Sequence, residues 1–471
     1  MVFSSITFLF LFLPIVLLIY YTINKRLRNF FLTISSLFFY AWGEKELVML
    51  MIFSIAINYL GGLVIDYVSE KKSKKAKIFT LVFVLINVLI LGYYKYANFF
   101  IESINQIGLT QFSTINEILL PIGISFFTFQ GMSYLIDVYY QKVPAQKNLV
   151  SLALYISMFP QLIAGPIVRY IDVSKQIESE RTFRADQFRE GLFRFITGLF
   201  KKVIIANQMG FIANEVFSNS FNEVGTISLW IGIITYSFQI YFDFSGYSDM
   251  AIGLGKMFGF DFLENFNYPY ISQSIQEFWR RWHISLSTWF RDYLYIPLGG
   301  NRHGNFRTYY NLIIVFFITG LWHGASWNFI VWGLFHGFFL IIERVGFGSV
   351  LNKLPKILRH IYTLLVVLIG WVFFRIETLT DAMLFLKGMF GYSIKGNELI
   401  YQYFNPYFIF VLILAIVFST PITRVFSNLA TRVMAKSYQK MLAYPIMLIL
   451  FLLCLLELAE SNYNPFIYFR F

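Results

Sequence analysis

The sequence predicts an all-α polytopic membrane protein with about 11–12 transmembrane helices, plus re-entrant and interfacial helices, around a central tunnel. Of the 471 residues, 57% are hydrophobic and only 14% are charged, whereas soluble domains have roughly 25% charged residues. Uncharged runs close to the ~20 residues that a helix needs to cross a bilayer recur along the chain. Because alternating strand patterns are absent, these runs predict helices and not a barrel.

The candidate spans follow one another from the first residues to the last. Long uncharged runs cover residues 2–24, 47–65, 78–94, 118–136, 224–242, 399–423 and 441–456, and shorter ones cover 29–43 and 361–374. The first run has no small-residue cleavage site, so we expect a retained helix and not a removed signal. The single cysteine, Cys454, excludes an intrachain disulfide framework. Without internal repeats or a separate soluble segment, residues 1–471 are expected to form one membrane domain.

Basic residues in short clusters between the apolar runs set the expected orientation. The net charge of +12 comes from 38 basic and 26 acidic residues, and this distribution indicates the positive-inside rule and not nucleic-acid binding. The clusters at 25–28 and 71–75 are separated by two spans, so both are expected in the cytoplasm. The cationic loop at 424–440 is expected there too. Residues 441–471 then form a last span with a short extracellular tail, 461–471.

Residues 148–168 do not fit this alternation as a complete span. They contain Pro160 and Gly165-Pro166, and a basic segment follows them. If they crossed, that basic segment would lie outside, against the positive-inside rule. A segment that re-enters from the cytoplasm resolves the conflict. Non-helical backbone at membrane depth is tolerated only around a cavity, so we expect a cytoplasmic funnel.

His323 lies near the middle of residues 308–342, which contain no Asp, Glu, Lys or Arg. A titratable ring at membrane depth is costly and therefore indicates a functional site. Two full spans need about 40 residues, so the turn at Gly324-Ala325-Ser326 is expected inside the membrane with His323 near its apex. The alternative is a complete hairpin with His323 at the outer surface. His336 is about 220° away around a continuous helix, and we interpret it as structural.

Residues 277–293 mix charged and aromatic side chains too densely for a lipid-facing helix. At helical spacing, His283 shares a face with Arg280 and with Ser287. An interfacial amphipathic helix would explain the pattern, but tryptophans surround His283 on several sides, which favours a walled cavity; they are Trp279, Trp282 and Trp289.

Two carboxylates, Asp243 and Asp249, follow the apolar run 224–242. Carboxylates alone are weak evidence for a metal site, so hydrogen bonding at a helix terminus is the favoured interpretation. His303 and His360 lie beside basic loop residues and are expected at the surface. The sequence contains no Gly-x-Ser-x-Gly elbow and no phosphate-binding glycine loop, which argues against a serine hydrolase and a nucleotide-binding fold.

Three sequence blocks together resemble the membrane-bound O-acyltransferase family, in its bacterial alginate O-acetylase branch. They are Gly320-Leu321-Trp322-His323-Gly324, the block Arg280-Arg281-Trp282-His283 with Trp289-Phe290-Arg291-Asp292-Tyr293, and Leu120-Pro121-Ile122-Gly123-Ile124-Ser125-Phe126. The resemblance extends along nearly the whole chain. It implies acyl transfer across a bacterial inner membrane, from cytoplasmic acetyl-CoA toward an exported polysaccharide or cell-wall glycan.

The resemblance also implies roles for individual residues. His323 matches the catalytic histidine of the family, and His283 matches its second histidine. A base is needed because the acceptor hydroxyl must lose its proton as it attacks a thioester. The tail ends in an aromatic motif in which Tyr468 is the expected acyl relay; an interfacial anchor is the alternative. Further candidates for the tunnel or for orienting the acyl group are Trp282, Ser287 and Trp322.

The implied partners are membrane lipids, an exported glycan acceptor and an SGNH-type acetyltransferase outside the membrane; no nucleic acid and no metal are expected. A transporter or flippase of a lipid-linked sugar is the main alternative function, although such proteins are commonly built from repeats that this sequence lacks. A scaffold for extracellular partners is a third reading. The sequence does not identify the acceptor glycan.

Overall fold

The computed structural model describes residues 1–68, 73–108, 112–115, 118–163, 165–391, 396–422, 436–460 and 467. Within these ranges the secondary structure is helical and no strand occurs. The predicted all-α class is therefore confirmed.

The α-helices are α1 Leu13–Thr22, α2 Arg28–Glu44, α3 Val48–Val68, α4 Lys74–Ile107, α5 Ile124–Tyr139, α6 Leu149–Ser157, α7 Phe159–Leu162, α8 Tyr170–Glu178, α9 Ala185–Phe200, α10 Asn207–Phe217, α11 Thr226–Met257, α12 Ile275–Arg281, α13 Ile284–Phe290, α14 Gly304–His323, α15 Trp327–Ile342, α16 Gly348–Lys353, α17 Lys356–Arg375, α18 Leu379–Phe390, α19 Glu398–Tyr401, α20 Pro406–Phe418 and α21 Lys436–Glu460. A π-helical turn, Phe8–Phe12, precedes α1, and another, Lys201–Ala206, joins α9 to α10.

Six helical stretches in the described part of the chain are long and apolar enough to cross a membrane: Lys25–Val68, Lys74–Ile107, Ala185–Phe217, Trp327–Lys353, Lys356–Arg375 and Met441–Glu460. Two shorter apolar helices, Phe8–Thr22 and Pro406–Phe418, accompany them. Apolar side chains such as Leu18 and Leu456 are exposed on these helices, as lipid contact requires. The protein is a multi-pass membrane protein, and the number of 11–12 spans stays a prediction.

Some boundaries differ from the sequence prediction for local reasons. The run 118–136 becomes helical only at Ile124, because Pro121 and the left-handed Gly123 (φ 75°) precede it. The run 224–242 continues as α11 to Met257, so Asp243 and Asp249 lie within a helix and not at its terminus. Their expected position at a helix terminus is therefore wrong.

The described residues divide into two compact units. The first comprises residues 1–195 and 250–263. In it, Asn58 on α3 and Asn87 on α4 exchange side-chain hydrogen bonds of 3.2 and 3.1 Å, which satisfies two amides buried between apolar helices. Helix α6 stops at Ser157, and α7 ends at Leu162 before the Gly165-Pro166 segment, so the expected backbone break is confirmed. Its re-entry from the cytoplasm stays a prediction.

The second unit comprises residues 196–249 and 264–471. Helices α14 and α15 form an antiparallel hairpin, and α17 packs on α15. A Cβ on Gly333 would lie 2.2 Å from the carbonyl oxygen of Phe316 and 3.0 Å from the Cα of Gly320. Only small residues permit this approach of two backbones. Whether the two units form the single domain expected from sequence stays a prediction.

Candidate functional site

The candidate site lies at the turn between α14 and α15, within the second unit. Helix α14 ends at His323, and α15 begins at Trp327, so the turn predicted at Gly324-Ala325-Ser326 is confirmed, and its depth in the membrane stays a prediction. His323 is 2% exposed. Its ring contacts Trp332 and Phe374 at centroid distances of 4.7 and 5.5 Å.

The protonation pattern of the His323 ring follows from its hydrogen bond. Nδ1 lies 2.7 Å from the backbone carbonyl oxygen of Thr319, one turn earlier in α14. A carbonyl oxygen can only accept, so Nδ1 carries the proton. The lone pair of the neutral ring is therefore on Nε2. A helix backbone thus selects the tautomer that a base acting through Nε2 requires.

His283 lies at a break between α12 and α13. Its backbone is in the left-handed region (φ 44°, ψ 55°), which is unusual for a residue other than glycine. Its side chain is fully buried. The shared face expected for Arg280, His283 and Ser287 assumed one continuous helix, and this expectation is wrong because the helix is interrupted at Trp282 and His283.

Asn265 holds His283 in this break. Its Oδ1 accepts from the Ser285 backbone N–H (3.2 Å) and hydroxyl (2.9 Å), and its Nδ2 donates to Ser248 Oγ (3.1 Å). These bonds fix the amide orientation. His283 Nδ1, 3.1 Å from the same Oδ1, must then be the donor. Its Nε2 is left as an acceptor, buried and with no hydrogen-bond partner among the described residues.

The two histidines share one aromatic neighbour. The Trp322 ring is 4.8 Å from the His323 ring and 6.1 Å from the His283 ring, so the imidazoles are no farther apart than the sum of these distances. Burial is the larger cause, and nearby His323 the smaller, of a pKa of His283 well below its usual range. His283 is therefore neutral at physiological pH. The structure brings the two predicted residues into one buried cluster.

His336 belongs to the same cluster, although the sequence placed it on another face. The helix-angle argument assumed a continuous helix from His323, but the turn at 324–326 folds α15 back on α14. Trp332 now lies between the two rings, 4.7 Å from His323 and 5.3 Å from His336. Neither ring nitrogen of His336 has a hydrogen-bond partner within the described ranges.

The other predicted site residues lie in different places. Trp282 is buried against Trp371 at 4.9 Å, and its ring forms part of the wall behind His283. Ser287 lines a neighbouring cavity, where its hydroxyl lies 3.4 Å from the Trp279 carbonyl oxygen. Tyr468 lies outside the described residues. His303 is exposed as expected, whereas His360 is half-buried, with Nδ1 3.1 Å from the Ser272 carbonyl.

The cavity beside the cluster has a volume of about 490 Å³. Trp279 and Thr319 line it and also contact the histidines, Trp279 through the His336 ring and Thr319 through its carbonyl oxygen. Arg280 and Arg291 carry its positive charge. Arg291 pairs with the adjacent Asp292 at 2.7 Å, whereas the exposed Arg280 forms no ion pair with any residue that the structure describes. Apolar walls with cationic groups suit an acyl chain attached to a phosphate-bearing carrier.

Several residues of the site were not found from sequence. Asn265 is 18 positions from His283, and an isolated asparagine in a loop carries no recognisable pattern. Trp332 and Phe374 resemble ordinary apolar helix residues. The described part of the chain contains no group of three or more His, Cys, Asp or Glu side chains arranged to hold a metal. The carboxylates Asp243 and Asp249 instead pair with Lys202 and Lys201 at 2.6 Å.

Buried imidazoles with fixed tautomers inside a multi-pass helical protein indicate an integral membrane enzyme. Residues 138–378 match the membrane-bound O-acyltransferase family, and the chain belongs to that family. It is an O-acyltransferase, which removes the support for the transporter and scaffold alternatives.

Named relatives place the chain within this family. It is 49% identical to the probable alginate O-acetylase of Azotobacter vinelandii, over 83% of this chain and 79% of that protein. It is 42% identical to the probable alginate O-acetylase of Pseudomonas putida over 100% of both chains. It is 39% identical to the peptidoglycan O-acetyltransferase of Helicobacter pylori, over 83% of this chain and 80% of that protein.

Proposed function

We propose that this protein transfers an acetyl group from cytoplasmic acetyl-CoA, across a bacterial inner membrane, toward an exported polysaccharide or cell-wall glycan. The names of the relatives support an acetyl group and a glycan acceptor. The observation that carries the chemistry is the Nδ1–H bond from His323 to Thr319 O. It presents Nε2 as a proton acceptor inside a buried aromatic pocket.

In the proposed reaction His323 is the general base. Its Nε2 takes the proton of the attacking hydroxyl as that oxygen forms a bond to the thioester carbonyl carbon. The carbon–sulfur bond then breaks, and the thiolate recovers the proton from the imidazolium. His283 lines the same pocket and is the second proton-transfer or orienting group. The surrounding indole and phenyl rings exclude water, which would otherwise hydrolyse the thioester.

We propose that the donor occupies the cavity beside Trp279. Arg280 supports this assignment because it is an exposed cation with no ion-pair partner in the described ranges, and phosphate groups pair favourably with guanidinium. Arg302, just before α14, and Arg307, in its first turn, add positive charge to the segment that follows the cavity-lining Tyr295, and this basic segment supports a cytoplasmic opening.

Tyr468 is the proposed relay to an SGNH-type acetyltransferase outside the membrane. A phenol has a pKa near 10 and needs a base, a role that His323 can fill. The resulting aryl ester is a better leaving group than an alkyl ester, so it suits onward transfer to a sugar hydroxyl. The placement of the tail outside the membrane belongs to this proposal.

The test compares His323→Gln with His303→Gln in purified protein reconstituted into lipid. Loss of a base typically costs 10²–10⁴-fold, so acyl transfer from radiolabelled acetyl-CoA should fall by at least about a hundredfold in the first variant. The exposed His303 serves as the matched control, and its variant should retain normal transfer. His323→Gln activity within threefold of wild type would remove the assignment.

A second measurement addresses the relay. Tyr468→Phe keeps the ring and removes the hydroxyl. In the presence of the partner, two quantities are measured for this variant: CoA released by hydrolysis of acetyl-CoA, and O-acetylation of the glycan. We expect glycan O-acetylation to be lost. Normal O-acetylation by Tyr468→Phe would show that the tail is an anchor or docking surface and not a relay.

A further inference from the structure

A buried ion pair in the second unit lies outside the histidine cluster. Lys202, in the π-helical turn Lys201–Ala206, places Nζ 2.6 Å from Oδ1 of Asp243 on α11. Their side chains are 4% and 0% exposed. Gly246 permits this close approach, since a Cβ there would lie 3.1 Å from the Lys202 backbone nitrogen. Burying two charges is costly and often gives no net stability, so the pair suggests a role beyond holding two helices together.

The second oxygen of the carboxylate binds another part of the chain. Asp243 Oδ2 accepts a hydrogen bond of 2.8 Å from the backbone N–H of Ile467. This residue is 224 positions away in the sequence. A backbone N–H bound to a buried carboxylate is a charge-assisted hydrogen bond, which is stronger than a neutral one. The tail at Ile467 is therefore bound by the interior of the second unit.

We propose that the Lys202–Asp243 pair is the internal docking site of the C-terminal segment. Lys202 pairs with Oδ1 of Asp243 and so orients the carboxylate, with Oδ2 facing the tail backbone. Because the contact is to a backbone N–H, it fixes the chain position of Ile467 without depending on its side chain. Lys202 and Asp243 are thus positioning residues for the tail.

The docking site is connected to the histidine cluster by one residue. Phe244 follows Asp243 on α11, and its ring contacts the His283 ring edge-on at 4.6 Å. Tyr468 directly follows Ile467, the residue whose backbone N–H Asp243 binds. The ion pair therefore holds the chain immediately before Tyr468 beside the wall of the histidine cluster. This consequence for transfer rests on the proposed relay function; the docking itself does not.

Two double variants separate the hydrogen bond from the ion pair. Lys202→Met with Asp243→Leu removes the charges and the acceptor, while Lys202→Met with Asp243→Asn removes the charges but keeps an amide oxygen for the Ile467 N–H. Apolar or neutral replacement of both partners leaves no unpaired buried charge. Lys201→Met with Asp249→Leu is the matched control, because that pair (2.6 Å) joins the same two helical segments.

Docking is measured as the rate at which brief chymotrypsin treatment removes the tail, followed by mass spectrometry of the intact protein in lipid nanodiscs. The tail offers aromatic cleavage sites at Tyr463, Phe466, Tyr468 and Phe469. Loss of a charge-assisted hydrogen bond should expose the tail on the order of tenfold more often. We expect that acceleration in the Asp243→Leu double variant, a smaller acceleration in the Asp243→Asn double variant, which retains only a neutral acceptor, and a rate within threefold of wild type in the control.

Wild-type cleavage rates in the Asp243→Leu double variant would overturn the proposal. Equal acceleration in all three double variants would also overturn it, because the effect would then reflect general loosening of the helices. The assay requires no substrate. A Tyr468→Phe protein that shows normal tail protection and normal glycan acetylation would therefore remove the relay while leaving the docking site in place.

Discussion

Replacement of Asn265 should disable the site without touching either proposed proton-transfer nitrogen. Asn265→Leu keeps a side chain branched at Cγ but removes the acceptor for His283 Nδ1–H and for the Ser285 backbone N–H. Asn265 is 1% exposed, so neither donor can turn to water. Each buried donor left unsatisfied costs about 1–3 kcal/mol, and two such donors give an expected loss of stability of about 3 kcal/mol.

The same change should reduce acyl transfer by releasing the His283 ring. Without Asn265 Oδ1, the proton can move to Nε2 and the ring can rotate. We expect transfer to fall by roughly 10–100-fold, less than the 10²–10⁴-fold typical of losing a base. Transfer of labelled acetyl groups and the thermal unfolding midpoint are measured on the same lipid-reconstituted sample. Asn267→Leu is the control, because its side-chain amide makes no hydrogen bond within the described part of the chain.

Asn265→Asp tests the direction in which the pKa of His283 changes. Burial and nearby His323 lower the pKa of His283 in the native protein. A carboxylate beside Nδ1 favours the imidazolium and therefore raises that pKa. Nε2 is available only above the pKa, so the acid limb of the pH–rate profile should move to higher pH in this variant. A folded Asn265→Leu protein with transfer within threefold of wild type, or an Asp variant with an unshifted profile, would refute the reasoning.

Two further predictions concern the scaffold of the site. Gly333→Ala places a methyl group 2.2 Å from the Phe316 carbonyl oxygen, so we expect this variant to give no monodisperse peak in size-exclusion chromatography. The nearest contact of a methyl group in Gly337→Ala is a side-chain carbon at 3.1 Å, so this control variant should fold and give a monodisperse peak. Equal behaviour of the two variants would contradict the close-packing argument. The Glu343 carboxylate accepts from the backbone N–H groups of Ile275 and Gln276 at 2.6 and 3.0 Å and so caps α12. Glu343→Ala should therefore lower stability by about 1–2 kcal/mol, and an unchanged thermal midpoint would show that the cap contributes nothing.

The membrane character and the His323 hairpin were determined locally by the sequence. A stretch of 35 uncharged residues is too short for two full spans, so a turn near its middle follows from helix rise and bilayer thickness alone. The Trp-His-Gly motif lies at that turn, and the i−4 carbonyl of Thr319 is supplied by the same helix that carries His323. Each of these relations joins residues close in the chain, which is why periodicity, length and motif were sufficient.

The environment of His283 depended on contacts between distant segments. Sequence spacing alone favoured one continuous helix through residues 277–293, but Asn265 and Ser285 stabilise a left-handed break at His283 instead. The contact of His336 with Trp279, and the binding of Ile467 by Asp243, likewise join residues far apart in the chain. A local pattern records which faces are apolar, whereas a buried polar group is satisfied by whichever partner the packed helices bring within about 3 Å. That pairing exists only after the helices have packed.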